Sequence, residues 1–432
     1  MGEFYSLPKN IEIKSIGEKI LLFNPDIPSW LVTNRNGAAI LSLFSGEYSK
    51  EMIIEGLCEV YGNQNRETIC EFIEKAIQTK IFNTPAPGEI PITTTNFKLK
   101  TVQLSISSKC NLHCVYCYAT DRKETGGRKM LLEDYTRVLD DIFEINSGVR
   151  ITLTGGEPLL NKDCFSIAKY AKNLGLYVDI LTNGTLINQN NILQIKECFD
   201  EVRISVDGSN QILHEKLRGE GSYVPMIEAV NLLMLNGINY SLSMTVNRIN
   251  ISDVEQMAKK YGAVLNFSPL FPAGNAKNDE NLSITGHMYY TALLSAKNVI
   301  PLSCCESMLL NAQNFRNCKC AIGDSELSIS ETGDVYPCHL LHYPEFLAGN
   351  IFKKNIKQIY LQSSVIDNCK QLTVDNIEGC RTCFIRYVCG GACRARAFHE
   401  SGNIKTSGSF CEYEKRAYID GILNLYSLNA LE

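Results

Sequence analysis

Hydrophobic residues between positions 100 and 269 recur with two spacings that alternate along the chain. Apolar runs typical of buried strands lie at 102–106, 150–154, 177–182, 201–206, 241–246 and 263–267. Amphipathic stretches with helical spacing lie between most of them, at 132–145, 165–174, 191–198, 224–235 and 252–261. This alternation predicts parallel strands joined by helical crossovers. Because a closed barrel has about eight such units, we predict an α/β fold with a partial (β/α)6 barrel that is open on one side.

Residues 1–85 show a different pattern. Alternating apolar and polar positions at 11–14 and 19–23 predict two strands, and Trp30-Leu-Val predicts a third. Helical patterns follow at 37–44, after Ser49 and at 67–80. The stretch 83–91 is rich in proline and glycine and suits neither helix nor strand. We therefore predict four regions: a small domain (1–85), a linker (86–99), the barrel (100–303) and a cysteine-rich domain (304–432).

Composition narrows the class of protein. The 432 residues are 45% apolar and 21% charged, which is typical of a globular protein of roughly two or three domains. The formal net charge of -5 gives no reason to expect nucleic acid as a partner. No apolar run reaches the ~20 residues of a membrane helix, and the first residues do not resemble a signal peptide. We expect a cytoplasmic protein, in which 18 cysteines favour metal binding over disulfides.

Three of these cysteines, Cys110, Cys114 and Cys117, share one loop directly after the first barrel strand. Three thiolates at this spacing can bind three irons of a cubane cluster and leave the fourth iron open. Zinc is the alternative, but its fourth ligand would have to be His113, which lies inside the loop. Sites in strand–helix folds gather at the carboxyl ends of strands. The loop therefore lies where chemistry is expected.

Other polar motifs end neighbouring strands at the same edge. The second strand ends in Thr154-Gly-Gly-Glu-Pro158, where paired glycines allow close backbone approach and Glu157 could accept a hydrogen bond from a ligand ammonium. After the fourth strand, Ser205 and Asp207 could bind hydroxyls or a carboxylate, and Arg218 could pair with a carboxylate. Residues 182–185 and Asn247 end the third and fifth strands. Each motif alone suits an ordinary turn or cap, and their shared position favours a binding site.

The cysteine loop, with Tyr116 before its last cysteine, and the Gly-Gly-Glu-Pro motif together resemble the radical S-adenosylmethionine (SAM) superfamily. The resemblance implies that Cys110, Cys114 and Cys117 hold a 4Fe–4S cluster whose open iron binds the amino and carboxylate groups of SAM. It also implies an external electron donor such as flavodoxin or ferredoxin, and a 5′-deoxyadenosyl radical that abstracts a substrate hydrogen. The residues expected to bind SAM are Tyr116, Gly155, Gly156, Glu157, Ser205, Asp207 and Arg218.

The later cysteines have the spacing Cys320-x12-Gly333-x4-Cys338, Cys380-x2-Cys383-x5-Cys389-x3-Cys393, then Cys411. This resembles a SPASM domain, which implies two auxiliary 4Fe–4S clusters and three clusters in all. The first auxiliary cluster would use Cys320, Cys338, Cys393 and one of Cys304, Cys305 or Cys318. Because Cys318 is very close to Cys320 along the chain, we favour Cys304 or Cys305 as the fourth ligand. Of these two we assign Cys305. An open coordination site is the alternative.

The second auxiliary cluster would use Cys380, Cys383, Cys389 and Cys411. The remaining cysteines belong to no set and are expected to be buried apolar residues. They are Cys58, Cys70, Cys164, Cys198 and Cys369.

The first domain resembles the PqqD-like RiPP recognition element in its strand–helix order and in the positions of Trp30, Gly37, Leu43 and Gly46. The resemblance implies a winged-helix fold whose third strand pairs with the leader of a ribosomally made precursor peptide. The alternative is a structural or dimerisation domain.

Together the resemblances predict a peptide maturase of the sactipeptide or ranthipeptide type, an oxidoreductase that installs a thioether or a carbon–carbon cross-link. One alternative is an oxidase of protein side chains similar to sulfatase-maturing enzymes. Those enzymes place an acidic base directly after the cysteine that matches Cys338, and here that residue is His339. The other alternative is a non-catalytic iron–sulfur or zinc regulator.

Overall fold

Residues 2–83 form a three-stranded sheet, a short strand pair and three helices. The computed structural model describes them together with residues 99–122, 127–296, 317–425 and 427–430. Their elements are β1 (Phe4–Ser6), β2 (Glu12–Ile16), β3 (Lys19–Asn24), β4 (Ser29–Thr33), α1 (Arg35–Ser42), β5 (Ser45–Ser49), α2 (Lys50–Tyr61) and α3 (Arg66–Gln78). The three strands and three helices predicted here are confirmed. The pairing of β1 with β5 was not predicted.

Both faces of the antiparallel β2-β3-β4 sheet are covered. Leu22 and Leu31 pack with the three helices. The alternate side chains of β3 and β4 pack instead against residues of the cysteine-rich region, among them Phe384 and Ile422. Because both faces are buried, β3 contains an unbroken apolar run rather than a simple alternation.

The barrel strands are β6 (Thr101–Ser107), β7 (Arg150–Gly155), β8 (Tyr177–Thr182), β9 (Glu201–Ser205), β10 (Tyr240–Val246) and β11 (Leu265–Pro269). They lie side by side in the order β11-β10-β9-β8-β7-β6, and each neighbouring pair is parallel. The helices between them are α4 (Leu132–Ile145), α5 (Cys164–Asn173), α6 (Ile192–Cys198), α7 (Gln211–Arg218), α8 (Tyr223–Leu235) and α9 (Val254–Tyr261). The predicted partial barrel is confirmed, and α7 is an addition to it.

The sheet continues beyond the barrel. β12 (Glu326–Ile329) pairs in parallel with β6, and β13 (Asp334–Tyr336) and β14 (Gly349–Asn350) follow in antiparallel order. The cysteine-rich region therefore extends the barrel sheet at its β6 edge, which the predicted boundary between residues 303 and 304 did not suggest.

The remaining helices are α10 (Gly286–Ala296), α11 (Ile356–Gln362), α12 (Ser364–Lys370), α13 (Arg386–Cys389), α14 (Arg394–Ser401) and α15 (Cys411–Leu425). Within the described parts of the chain, no helix is both long and apolar enough to cross a membrane. Most of the predicted linker, together with Cys304 and Cys305, lies outside the described residues.

Candidate active site

The loop that carries Cys110, Cys114 and Cys117 opens into a cavity of about 630 Å³ at the carboxyl ends of the barrel strands. Most residues predicted to form the site line this cavity: Cys110, Cys114, Tyr116, Cys117, Gly155, Gly156, Ser205 and Arg218. Glu331 and Thr332, which join β12 to β13, complete the wall next to Ser108. No sequence signal marked these two residues, because they reach the site only through the pairing of β12 with β6.

The two glycines that end β7 contact the backbone of the cysteine loop. Gly156 N–H donates to the Ser107 carbonyl over 2.6 Å. A Cβ on Gly155 would lie 2.2 Å from that same oxygen, and a Cβ on Gly156 would lie 2.4 Å from the Lys109 carbonyl oxygen. Gly155 also has φ +144°, which side-chain-bearing residues rarely adopt. The glycines therefore allow the cysteine loop to lie directly against β7.

Glu157 lies behind this contact and does not line the cavity. Its side chain is fully buried and accepts hydrogen bonds from Thr182 Oγ1 (2.8 Å), Asn183 N (2.9 Å) and Leu159 N (3.1 Å). Burial raises the pKa of the carboxyl group, and the three donors oppose that shift. The Glu157 carboxylate joins the ends of β7 and β8, and the contact with a ligand ammonium that we expected of it stays a prediction. The cavity-facing parts of this turn belong to Gly155 and Gly156.

Asp207 is also turned away from the cavity. Its carboxylate is completely buried and accepts hydrogen bonds from the Tyr116 hydroxyl, from Arg218 Nε and, over 2.8 Å, from Thr245 N. Burial raises the pKa of Tyr116 well above its usual value. Asp207 thereby positions two side chains that do face the cavity, and the ligand contact expected of it stays a prediction.

Two residues near the cysteine loop were missed by sequence reasoning. Gly274 has φ +59°, and a Cβ there would lie 2.1 Å from the Cys117 carbonyl oxygen. Asn275 donates through its backbone to the same oxygen (3.0 Å) and through Nδ2 to the Cys114 carbonyl (3.0 Å). Both follow β11, so they extend the pattern of polar residues after strands by one more strand. The glycine–asparagine pair was the available signal.

Asn247 has a structural role in a turn, which was the alternative to ligand binding. It is fully buried, and its Nδ2 donates to the Thr245 carbonyl over 3.1 Å while its Oδ1 accepts from Ile249 N over 2.9 Å. It stabilises the turn after β10.

The thiols of the loop suit an iron cluster. Burial raises the pKa of Cys114 to about 11, and it also raises the pKa of Cys110. Leu112 N donates to Cys110 Sγ over 3.4 Å, and Arg218 lies close enough to favour a Cys114 thiolate. Thiols with a raised pKa stay protonated at neutral pH unless a cation replaces the proton, which iron binding does.

The later cysteines form the two predicted groups. Cys320, Cys338 and Cys393 lie at the edge of one apolar cluster, close enough that their charges would repel one another. The second group, Cys380, Cys383, Cys389 and Cys411, lines a separate small cavity. Burial raises the pKa of Cys411 to about 11. No disulfide links any of the described cysteines, so both groups keep thiols available for metal.

Two further cysteines, Cys318 and Cys369, lie next to the two auxiliary groups. Cys318 packs with Val374, Ile377 and Cys380, which places it beside the second group rather than with Cys320. Cys369 is buried as expected, but it belongs to the same apolar cluster as Cys320. Cys369 is therefore a buried neighbour of the first auxiliary group, and its assignment to neither ligand set stays a prediction.

His339 connects the first auxiliary group, at Cys338, to the barrel strand β6, at Gln103. Its Nδ1 lies 3.0 Å from Glu326 Oε1, 2.9 Å from Gln103 Nε2 and 3.9 Å from Cys338 Sγ. The position that lacks the acidic residue of sulfatase-maturing enzymes thus holds a histidine paired with a carboxylate.

Comparisons with known proteins agree with this geometry. Residues 104–261 match the model of the radical SAM superfamily, and residues 318–384 match that of the SPASM iron–sulfur cluster-binding domain. This chain is a radical SAM enzyme. Its two domains imply 4Fe–4S clusters and SAM as cofactors, and the described thiol groups fit such clusters.

Curated relatives of this radical SAM enzyme have different activities. The AdoMet-dependent heme synthase of Methanosarcina barkeri is 25% identical, over 71% of this chain and 95% of the relative. The mycofactocin maturase MftC of Mycobacterium ulcerans is 27% identical, over 67% of this chain and 81% of the relative.

Solved structures share the fold of the radical SAM enzyme. The structure of anSMEcpe with bound AdoMet has a TM-score of 0.62 and 20% identity, and the match covers 75% of this chain and 93% of that chain. Streptococcus suis SuiB bound to precursor peptide SuiA has a TM-score of 0.54 and 14% identity, with coverage of 95% and 100%.

Proposed function

We propose that this radical SAM enzyme is a maturase that binds the leader of a ribosomally made precursor peptide and installs a cross-link, a thioether or a carbon–carbon bond. One observation carries the proposal. A small domain with the strand–helix order of a leader-binding module packs against the cysteine-rich domain, where Phe384 directly follows Cys383. Phe23 of β3 stacks on Trp30 at 5.9 Å and meets Phe384 edge-on at 5.5 Å. Among the similar proteins, MftC is named a mycofactocin maturase, and SuiB has been solved with a bound precursor peptide.

The proposed site assignments follow the described geometry. Cys110, Cys114 and Cys117 would hold the cluster that binds SAM, and Ser205 and Arg218 would contact SAM inside the same cavity. When bound, reduced cluster and SAM supply a 5′-deoxyadenosyl radical. Arg218 offers a carboxylate of SAM a guanidinium that Asp207 already orients. The Gly155–Gly156 turn holds the cysteine loop in place.

The auxiliary assignments are part of the same proposal. Cys320, Cys338 and Cys393 would hold the first auxiliary cluster, together with Cys304 or Cys305, and Cys380, Cys383, Cys389 and Cys411 would hold the second. These clusters would accept the surplus electron or bind a substrate thiolate. The proposed domains are residues 1–85, 100–303 and 304–432.

The test uses the anaerobically reconstituted full chain with dithionite and SAM. The intact protein should release 5′-deoxyadenosine, and the Cys114→Ala variant should release none. With a cysteine-bearing precursor peptide encoded beside the gene, the peptide should lose the mass of two hydrogens for each cross-link. If 5′-deoxyadenosine forms but no such peptide changes mass, the peptide function is wrong.

Point variants are better suited to testing the first domain than its deletion. Removing residues 1–85 would expose the apolar side chains that β3 and β4 cover, including Ile385, Ile422 and Leu423. A loss of activity after that deletion would therefore not separate leader binding from damage to the second auxiliary site.

A further inference from the structure

The edge of β4 is occupied by the chain itself. Residues 427–430, which follow α15, lie along the side of β4 that β3 does not pair with. Leu428 N–H donates to the Val32 carbonyl over 2.8 Å, and Asn34 Nδ2 donates to the Ala430 carbonyl over 2.7 Å. We call these residues the 427–430 segment.

The segment lies there as an extended peptide would. Leu428 and Ala430 are 7% and 4% exposed, while Asn429 between them is exposed. This in–out–in alternation is that of a strand. Leu428 and Ala430 belong to the same apolar cluster as Leu31 of β4 and Phe72 of α3. The groove beside β4 therefore accepts alternate aliphatic side chains from an extended backbone.

Among the described residues, the attachment is shorter than the pairing inside the sheet. β3 and β4 are in register over five residue pairs, from Ile20–Thr33 to Asn24–Ser29. In the described part of the chain, the 427–430 segment contributes the hydrogen bonds with Val32 and Asn34 and two buried apolar side chains. A longer peptide strand could form more backbone bonds to this edge and bury more side chains.

We propose that the 427–430 segment holds the place of the substrate peptide: the groove beside β4 binds an extended stretch of the precursor with a large aliphatic residue and, two positions on, a small one, and the precursor displaces the segment. The inference rests on the proposed function and specifies its recognition site. Because only the displaced state binds the precursor, the segment lowers the apparent affinity by the fraction of molecules in which the groove is open.

Asn34 provides a variant that releases the segment without unfolding the domain. Its Oδ1 caps α1 by accepting from Gly37 N over 2.8 Å, while Nδ2 holds Ala430. Aspartate caps a helix as well as asparagine does. It has no N–H to donate, however, and would face the Ala430 carbonyl with a negative charge. Asn34→Asp therefore keeps the cap and loses the bond to the segment.

The control is the same substitution elsewhere. Asn210 caps α7 by accepting from Leu213 N over 3.0 Å and is exposed, far along the chain from β4. Asn210→Asp changes the net charge equally and leaves the groove untouched.

The experiment measures binding of a fluorescent synthetic peptide with the sequence of residues 424–432. It should bind a variant that lacks residues 427–432 and bind Asn34→Asp more weakly, with little binding to the intact chain or to Asn210→Asp. The same peptide with aspartate in place of Leu428 should not bind. The unlabelled precursor should compete with it. In turnover assays, the deletion and a Leu428→Asp substitution in the full chain, both of which free the groove without changing it, should lower the KM for precursor by about tenfold or more at unchanged kcat.

Two results would overturn the inference without touching the proposed function: precursor modified by the intact chain with a KM that neither variant changes, or a bound probe that the precursor does not displace. If the deletion variant loses its fold, shown by lost iron or lost helical signal, Leu428→Asp in the full chain decides by its KM. If no variant modifies any peptide while the probe still binds, the proposed function is wrong, but the groove beside β4 is still a peptide-binding site.

Discussion

The carboxylate of Asp207 lies between Tyr116 and Arg218 and accepts a hydrogen bond from each. Both partners face the cavity of the candidate active site, whereas Asp207 is completely buried behind them. Tyr116 belongs to the cysteine loop and Arg218 ends α7. One buried carboxylate therefore fixes the cysteine loop relative to the residue proposed to bind the carboxylate of SAM.

Replacing Asp207 by asparagine should damage the site through Arg218. The guanidinium would become a buried charge without a counter-charge, and breaking such a pair costs about 3–5 kcal/mol of stability. Chemical denaturation should show the loss, and SAM binding to the reconstituted protein should weaken. Glu197→Gln, which breaks the exposed pair with Lys169, should change stability by no more than about 1 kcal/mol. Equal effects of the two variants would contradict the positioning role.

Gly156→Ala should release iron from the first cluster. The new methyl group would lie 2.4 Å from the Lys109 carbonyl oxygen and 3.1 Å from Cys110 Cβ, so the cysteine loop would have to move. We expect about four fewer irons per chain after anaerobic reconstitution. Gly56→Ala in α2, where a Cβ meets nothing within 4 Å, should keep its iron. Full iron in Gly156→Ala would show that the loop tolerates the shift.

Iron counting also tests the second auxiliary site. Three clusters predict about 12 irons per chain, and Cys389→Ala should reduce the count to about eight. Cys389 lines the cavity shared by its group, and burial raises the pKa of its thiol. Cys70→Ala, in α3 and outside every group, is the matched control. If the intact chain held only about four irons and Cys389→Ala did not change that count, only the SAM-binding cluster would form.

Phe384→Ala should loosen the first domain from the cysteine-rich domain. The ring is 8% exposed and contacts Phe23 across the boundary, and removing a buried phenylalanine ring costs about 3–5 kcal/mol. Limited proteolysis should cut within residues 2–83 sooner in this variant. Leu361→Ala, at a side chain that is 58% exposed, should leave the cleavage pattern unchanged. Unchanged cleavage of Phe384→Ala would show that other contacts hold the domain.

His214 should make stability depend on pH. Burial, reinforced by nearby Arg218, lowers its pKa from 6.5 to about 4, and its Nδ1 accepts from Asp207 N over 3.3 Å. Below pH 6.5 the unfolded chain binds a proton that the folded chain refuses. Stability should therefore fall between pH 6.5 and about 4, by at most about 1.4 kcal/mol per pH unit. His214→Asn should flatten this slope, and exposed His287→Asn should retain it.

The sequence predicted the barrel units well, and it also predicted which of the described cysteines lie together, because both depend on local spacing. Ligand geometry restricts how far apart cysteines such as Cys380 and Cys383 can be, and burial of alternate elements produces the strand–helix pattern. Side-chain direction was harder to predict. Asp207 follows a strand at the edge where ligands bind, but Tyr116 and Arg218 turn it inward, and neither is near it in sequence. The position of β12 could not be predicted, because its four residues show no distinctive pattern of their own and pair with β6, which is far away in the sequence.

The pairing of β12 with β6 has a consequence for electron transfer. β6 leads into the loop of Cys110, and β12 leads through β13 to Cys338, so the two cysteine groups are attached to one continuous sheet. Hydrogen-bonded strands do not slide past each other during catalysis, unlike domains joined by a hinge. The tunnelling distance between the two metal centres would then be a fixed property of the sheet, and the rate of electron exchange between them would be independent of solvent viscosity and of whether a peptide is bound.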